Sequence, residues 1–212
     1  MSAILQISED REYTCADWLK MERPVGVNDF ELVDGKLYSM ASPTVVHQGV
    51  LSELCRQFAN YLIGRQCKIY PGVGVRLAKN TIYVPDLMLV CDKKKLKKYW
   101  HEGAPDLIIE ILSPSNTSHD TITKFDAYFK AGLMEYWIVD TQECSVTRHR
   151  LRDGREANGR ESNEYATNEY AVNGYVTSKY TSEDDIPVDA LPGFEVDLGL
   201  VFREDISGGY DG

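Results

Sequence analysis

The spacing of apolar positions changes several times along the chain, and each change marks an element. Over 46–63 they fall at Leu51, Leu54, Phe58, Tyr61 and Leu62. That 3.6-residue period lays one face of a helix on a core. Gly64 supplies its stop. The period returns over 116–131, where Ile122, Phe125 and Phe129 form the stripe and Gly132 closes the helix. Ser113-Pro114-Ser115-Asn116 offers its caps. A shorter helix is predicted around Ala16-Asp17-Trp18-Leu19.

Elsewhere the pattern is that of strands. Two short strands over 30–40 flank Asp34-Gly35, a dipeptide suited to a type I′ hairpin turn because both central residues take positive φ. Runs at 68–70, 74–77 and 81–84 are split by Gly and Asn. The 86–91 run is strongly apolar and led by a carboxylate. The 106–112 run is apolar on both faces, which predicts a central strand. A further strand spans 135–140, with 145–150 pairing beside it. This order predicts an α/β or α+β fold, a mixed central β-sheet flanked by helices.

Residues 156–184 differ in kind. Tyrosine recurs every five residues at Tyr165, Tyr170, Tyr175 and Tyr180. Five steps match neither a helix face nor a strand face. The segment is read as a surface loop or extended arm inserted in a single domain spanning 1–212. A pairing or oligomerising strand arm is the alternative. The 191–202 segment is expected to dock back on the core, and 207–212 to fray.

Composition narrows the picture. Of 212 residues, 43% are hydrophobic and 26% charged, enough apolar material for a core and against overall disorder. No apolar run approaches the length of a membrane span, and the first residues carry no secretory pattern. Five cysteines at 15, 55, 67, 91 and 144 form no CxxC motif. They are read as reduced, mostly buried thiols of a cytoplasmic protein. A net charge of −10 argues against a generic nucleic-acid coat. Yet Lys93, Lys94, Lys95, Lys97 and Lys98 put five positive charges into six residues, followed by Tyr99 and Trp100. Such a cluster suits either a DNA backbone contact or a solvated loop.

The candidate chemistry is a pair of acids on apolar strands, Asp86 and Glu110. An ionised carboxylate in that setting is costly unless something neutralises it. A hard divalent ion does so through oxygen ligands. Strand alternation puts Asp106, Ile108, Glu110 and Leu112 on one face and Leu107, Ile109 and Ile111 on the other. The alternative makes Asp86 and Asp106, both after proline, strand-end acids, and pairs Glu110 with Arg or Lys. Gly72-Val73-Gly74 lacks the phosphate-loop pattern and reads as a turn.

Several segments in order resemble one family: Val84-Pro85-Asp86-Leu87-Met88-Leu89-Val90, Ala104-Pro105-Asp106 through Glu110-Ile111-Leu112-Ser113-Pro114, Lys124-Phe125-Asp126-Ala127-Tyr128, and Glu135-Tyr136-Trp137-Ile138-Val139-Asp140. The hairpin Phe30-Glu31-Leu32-Val33-Asp34-Gly35-Lys36 and His47 add to it. The chain is similar, over about 10–150 and around Leu191-Pro192-Gly193, to the Uma-two family of restriction-endonuclease-like proteins with the PD-(D/E)XK nuclease fold. That resemblance implies a metal-dependent endodeoxyribonuclease. Asp86 and Glu110 would hold Mg²⁺, with Mn²⁺ a substitute, and the carbonyl of Ile111 would add a ligand. The lysine expected two residues after the glutamate is here Leu112. Lys124 is the expected replacement; the alternative pairs it with Asp120 on a solvated face. DNA is the implied partner, and a homodimer fits the cutting of two strands.

Three residues are weaker candidates. Glu31 either joins the metal cluster or is an exposed hairpin acid. His47 reads as packed or capping rather than as a ligand. Tyr128 either touches the site or packs. Two rival functions stand beside the nuclease. A catalytically silent module on the same fold is favoured by Leu112 and the acidic surface. A two-carboxylate glycosidase has no supporting pattern.

Overall fold

The computed structural model describes residues 11–21, 30–112, 118–151, 170–172 and 174–207. The first half contains α1 (Cys15–Lys20), β1 (Phe30–Val33), β2 (Lys36–Ser39), α2 (Val45–Tyr61), β3 (Lys68–Pro71), β4 (Gly74–Ala78), β5 (Thr81–Tyr83) and β6 (Leu87–Val90). Then follow β7 (Trp100–Glu102), β8 (Leu107–Ile111), α3 (Ser118–Lys130), β9 (Glu135–Asp140) and β10 (Ser145–Leu151). The chain continues through β11 (Tyr170–Val172), β12 (Tyr175–Thr181), β13 (Asp185–Pro187), β14 (Glu195–Asp197), α4 (Leu198–Val201) and α5 (Glu204–Ser207).

The main sheet has seven strands in the order β11-β12-β10-β9-β8-β6-β3. It is mixed: β8 and β9 run parallel, joined across α3, while β6 and β8 are antiparallel. The expected mixed sheet with flanking helices is therefore present, and β8 is central as its two-faced apolarity requires. A second, five-stranded sheet, β2-β1-β5-β4-β7, gathers the short strands. At its hairpin Asp34 and Gly35 have φ of 48° and 80°, the positive values the turn demands.

Strand alternation divides the core in two. Leu87, Leu89, Leu107, Ile109, Ile111, Trp137 and Val139 face α2, where Val50, Leu54 and Phe58 are fully buried. Val196, Leu198 and Val201 of the C-terminal segment close that layer, as expected of a docking piece. On the other face Met88, Val90, Ile108 and Tyr136 meet Tyr128 of α3 and Val75 and Tyr83 of the smaller sheet. Burying such side chains contributes on the order of 1.5–3 kcal/mol each.

Two expectations are corrected. The 170–181 part of the tyrosine-rich segment is not a surface loop. It forms β11 and β12, and β12 pairs with the whole of β10 from Ser145↔Thr181 to Leu151↔Tyr175. The pairing-strand alternative is thus the right one for this part. The five-residue pattern does not reveal the strand because Tyr175 is anchored by residues distant in sequence: its ring packs on Phe125 and Phe129, and its hydroxyl donates to the carbonyl of Leu133. Residues 152–169 lie outside the described residues, as do 208–212 of the tail.

The cysteines are the second correction. Cys67 and Cys91 form a disulfide with Cα atoms 4.0 Å apart. They meet because β3 and β6 pair with Lys68 opposite Val90, which sets the next residues out against each other. Cys15, Cys55 and Cys144 are free thiols. Among the described residues no helix is long and apolar enough to cross a membrane.

Candidate active site

The site lies where the start of β6, the end of β8, β1 and the middle of α3 converge. β6 and β8 pair with Leu87 opposite Ile109, a register that carries Asp86 level with Glu110. The Asp86 carboxylate is fixed at both oxygens. Oδ2 accepts the Ile111 backbone N–H at 2.7 Å, and Oδ1 lies 3.2 Å from Nε2 of His47. His47 sits in the first turn of α2, whose N-cap is Thr44, and is buried. Its other ring nitrogen, Nδ1, is buried without a hydrogen-bond partner. His47 is therefore packed, as expected, but it is also aimed at Asp86.

Glu110 is 7% exposed and faces α3. Its partner is Lys124, whose Nζ lies 3.4 Å from Glu110 Oε1 and 2.8 Å from Glu31 Oε1. Lys124 is thus not on a solvated face; its long stem runs from α3 into the gap between the sheets. Glu31 is likewise not an exposed hairpin acid. It is 8% exposed, and its Oε1 also accepts the Val84 N–H at 2.9 Å. Pairing of β1 with β5, Leu32 opposite Ile82, brings it there. That contact is long-range, which is why local pattern suggested solvent.

Burial and neighbouring charge shift both Glu110 and Lys124. Burial pushes the Glu110 carboxyl well above its ordinary range; Lys124 opposes this, while Asp86 and Glu31 add to it. The Lys124 ammonium loses hydration, yet Glu110, Glu31 and Asp86 together hold it firmly charged. Tyr128 is fully buried on α3, its hydroxyl without a hydrogen-bond partner, and burial followed by the charges of Glu110 and Glu31 raises it well above the usual phenol range. Tyr136 behaves alike, from burial and the same acids.

The donor set is oxygen-rich and hard, the kind Mg²⁺ selects. Two unpartnered tyrosine hydroxyls and His47 Nδ1 leave polar capacity around it for coordinated water. Among the described residues no three His, Cys, Asp or Glu side chains stand close enough to grip an ion unaided. The cationic place between Glu31 and Glu110 is taken by the Lys124 ammonium. The residues fit a divalent ion in chemistry and charge, with Lys124 as the group that must share the acids with it.

Asp106 is separate from this cluster. Its Oδ2 accepts the Cys91 N–H at 2.7 Å, so it is a strand-end acid, one of the two roles its sequence context allowed. The lysine-rich stretch opens with a short 3-10 turn, Lys93–Lys95, capped by Asp92. Gly72, at φ 60°, is in a turn, as expected of Gly72-Val73-Gly74.

Comparison with known proteins bears on the family and the fold. A family model, Uma2, described as "Putative restriction endonuclease", matches residues 19–199. An "Uncharacterized protein slr1290" of Synechocystis is 27% identical over 126 residues, 58% of this chain. The matched part spans 66% of that relative, just under two thirds of its length. A solved structure, titled a "putative nuclease belonging to DUF820" from Anabaena variabilis, superposes with a TM-score of 0.65. It is 18% identical, and the match covers 90% of this chain and 97% of that one, a likeness of fold.

Proposed function

The chain belongs to the Uma2 family, and on that footing we propose that it is a metal-dependent endodeoxyribonuclease of the PD-(D/E)XK type. Asp86 and Glu110, with the carbonyl of Ile111, would hold Mg²⁺, and Mn²⁺ would substitute. Bound there, the ion offsets phosphate charge and lowers the pKa of a coordinated water. The chain's own groups do the rest. The Ile111 N–H and His47 hold the Asp86 carboxylate in one orientation. Glu31 holds the Lys124 ammonium at the site and keeps it charged. Lys124 then donates a hydrogen bond to the attacking water or to the phosphate oxygen where negative charge develops. DNA is the substrate, and a homodimer would present two sites to its two strands.

The observation that carries this reading is the Lys124 contact with Glu110. Position 112, where the lysine of such sites stands, is leucine, and α3 returns an ammonium to the same carboxylate from another element. The silent-module reading rests on the same contact taken differently, as an ion pair that satisfies Glu110 for good. The test is incubation of the purified protein with supercoiled plasmid DNA and Mg²⁺. Nicking that EDTA stops supports the nuclease; no nicking with Mg²⁺ or Mn²⁺ supports the silent module.

A further inference from the structure

A groove of about 380 Å³ opens between α1, the β3–β4 turn and the end of the lysine-rich stretch. It is lined by Trp18 and Leu19 of α1, by Gly72-Val73-Gly74, and by Lys98 and Tyr99. One backbone contact ties it to the site: the Gly72 N–H donates to the backbone carbonyl of Asp86 at 3.2 Å. The groove therefore adjoins the chain segment that carries the Asp86 carboxylate.

Its chemistry is that of a stacking platform on a charged rim. Tyr99 is 52% exposed, so part of its ring surface is open to solvent. The Lys98 ammonium lies 5.0 Å from its ring centroid, and a hydrogen bond with Tyr99 raises the Lys98 pKa, keeping it charged. Leu19 is 37% exposed. Trp18 is fixed in place, its indole N–H donating to the Phe30 carbonyl. At Gly72 a side chain would project into open space, and its φ of +60° disfavours one. Among the described residues, Lys93, Lys94, Lys95, Lys97 and Lys98 form no ion pair with a carboxylate. In a chain of net charge −10, this stretch concentrates five positive charges; Lys98 lines the groove, and Lys97 Nζ donates to the Lys94 carbonyl.

We propose that this groove receives an unstacked nucleobase of a DNA strand, held against Tyr99, while the lysines at 93–98 engage the neighbouring phosphates. The proposal rests on the DNA-cleaving reading of the Asp86 site and gives that site its substrate form: a strand locally out of the duplex. Flat aromatic surface and a basic rim together select a base with phosphates on either side. Apolar ligands lack the phosphates, and an intact duplex keeps its bases stacked away from the ring.

The test uses the full-length Asp86→Asn protein with Mg²⁺, so that bound DNA stays uncut. Affinity for a fluorescent 12-nucleotide single strand is compared with that for an abasic strand of equal length. The expected results are about tenfold weaker binding of the abasic strand and an equal loss for Tyr99→Ala on the base-bearing strand. Tyr99→Phe retains binding, and Tyr99→Ala adds nothing to the abasic loss. Charge removal at Lys97 and Lys98 weakens both strands alike and flattens the salt dependence. If both strands bind equally and Tyr99→Ala is silent while the lysine variants still weaken binding, the groove assignment falls and the DNA reading stands. If neither strand nor a duplex binds, both fall.

Discussion

Lys124 Nζ lies 2.8 Å from Glu31 Oε1, closer than its 3.4 Å to Glu110. The ammonium on α3 is thus anchored by an acid from the first hairpin and presented to the acid of the central strand. Removing it by Lys124→Met leaves two buried carboxylates uncompensated, a change that costs about 3–5 kcal/mol in comparable buried pairs. Glu110, already raised by burial and held down by Lys124, rises further in the variant. An acid raised on folding lowers stability as pH climbs from its unfolded to its folded pKa. Urea denaturation should therefore show Lys124→Met regaining stability as pH falls from 8 to 5. A loss that does not vary with pH would deny that Glu110 depends on Lys124.

The wild-type site carries a related signature. Glu110 is raised above its ordinary 4.5, so it must give up a proton more readily held than usual before it can ligate an ion. Mg²⁺ should stabilise the protein more at pH 8 than at pH 6. At 100 times its dissociation constant the gain is about 2.7 kcal/mol. Thermal unfolding with and without Mg²⁺ at the two pH values measures it, and Glu110→Gln should erase the difference between them.

His47 acts through Asp86, which it meets at 3.2 Å. Losing a group that orients a metal ligand typically weakens metal affinity by about 10–100-fold. His47→Ala should shift the Mg²⁺ concentration for half-maximal nicking upward by that factor and leave the maximal rate within a few-fold. Loss of rate at saturating Mg²⁺ with no shift in midpoint would show that His47 serves the chemistry and not Asp86.

Far from the site, Arg148 on β10 donates to Glu135 on β9 at 2.6 Å, and its other end reaches Asp189 at 2.5 Å. Glu135 has no exposure and also accepts from the Trp137 indole and the Asp189 backbone N–H. The network fastens the C-terminal segment to the sheet. Arg148→Met should destabilise by about 3–5 kcal/mol because Glu135 is left charged and buried. Chemical denaturation checks it, and nicking measured well below the unfolding midpoint should be unchanged.

What sequence pattern made legible follows the range of the interactions involved. The Asp34-Gly35 hairpin, α2 and the paired strands around Asp86 and Glu110 are visible because turn chemistry and apolar period are local. Lys124 was reachable only through resemblance, since nothing in its own segment points to Glu110. Local pattern leaves Glu31 open between two roles because its burial is decided by Val84 and Lys124, 53 and 93 positions away. The Cys67–Cys91 pair, 24 residues apart, depends on the β3–β6 register, and β12 on a sheet edge that its tyrosine spacing does not announce.

The central claim is that Asp86 and Glu110 form a metal-dependent site that cuts DNA. Its most direct measurement is the initial rate of plasmid nicking in Mg²⁺ by wild type, Asp86→Asn and Glu110→Gln, each purified identically and confirmed folded. The account predicts EDTA-sensitive nicking by wild type and a loss of at least about a hundredfold in both variants, as removal of a principal charge-stabilising group commonly causes. Nicking that survives in both variants at the wild-type rate would contradict it.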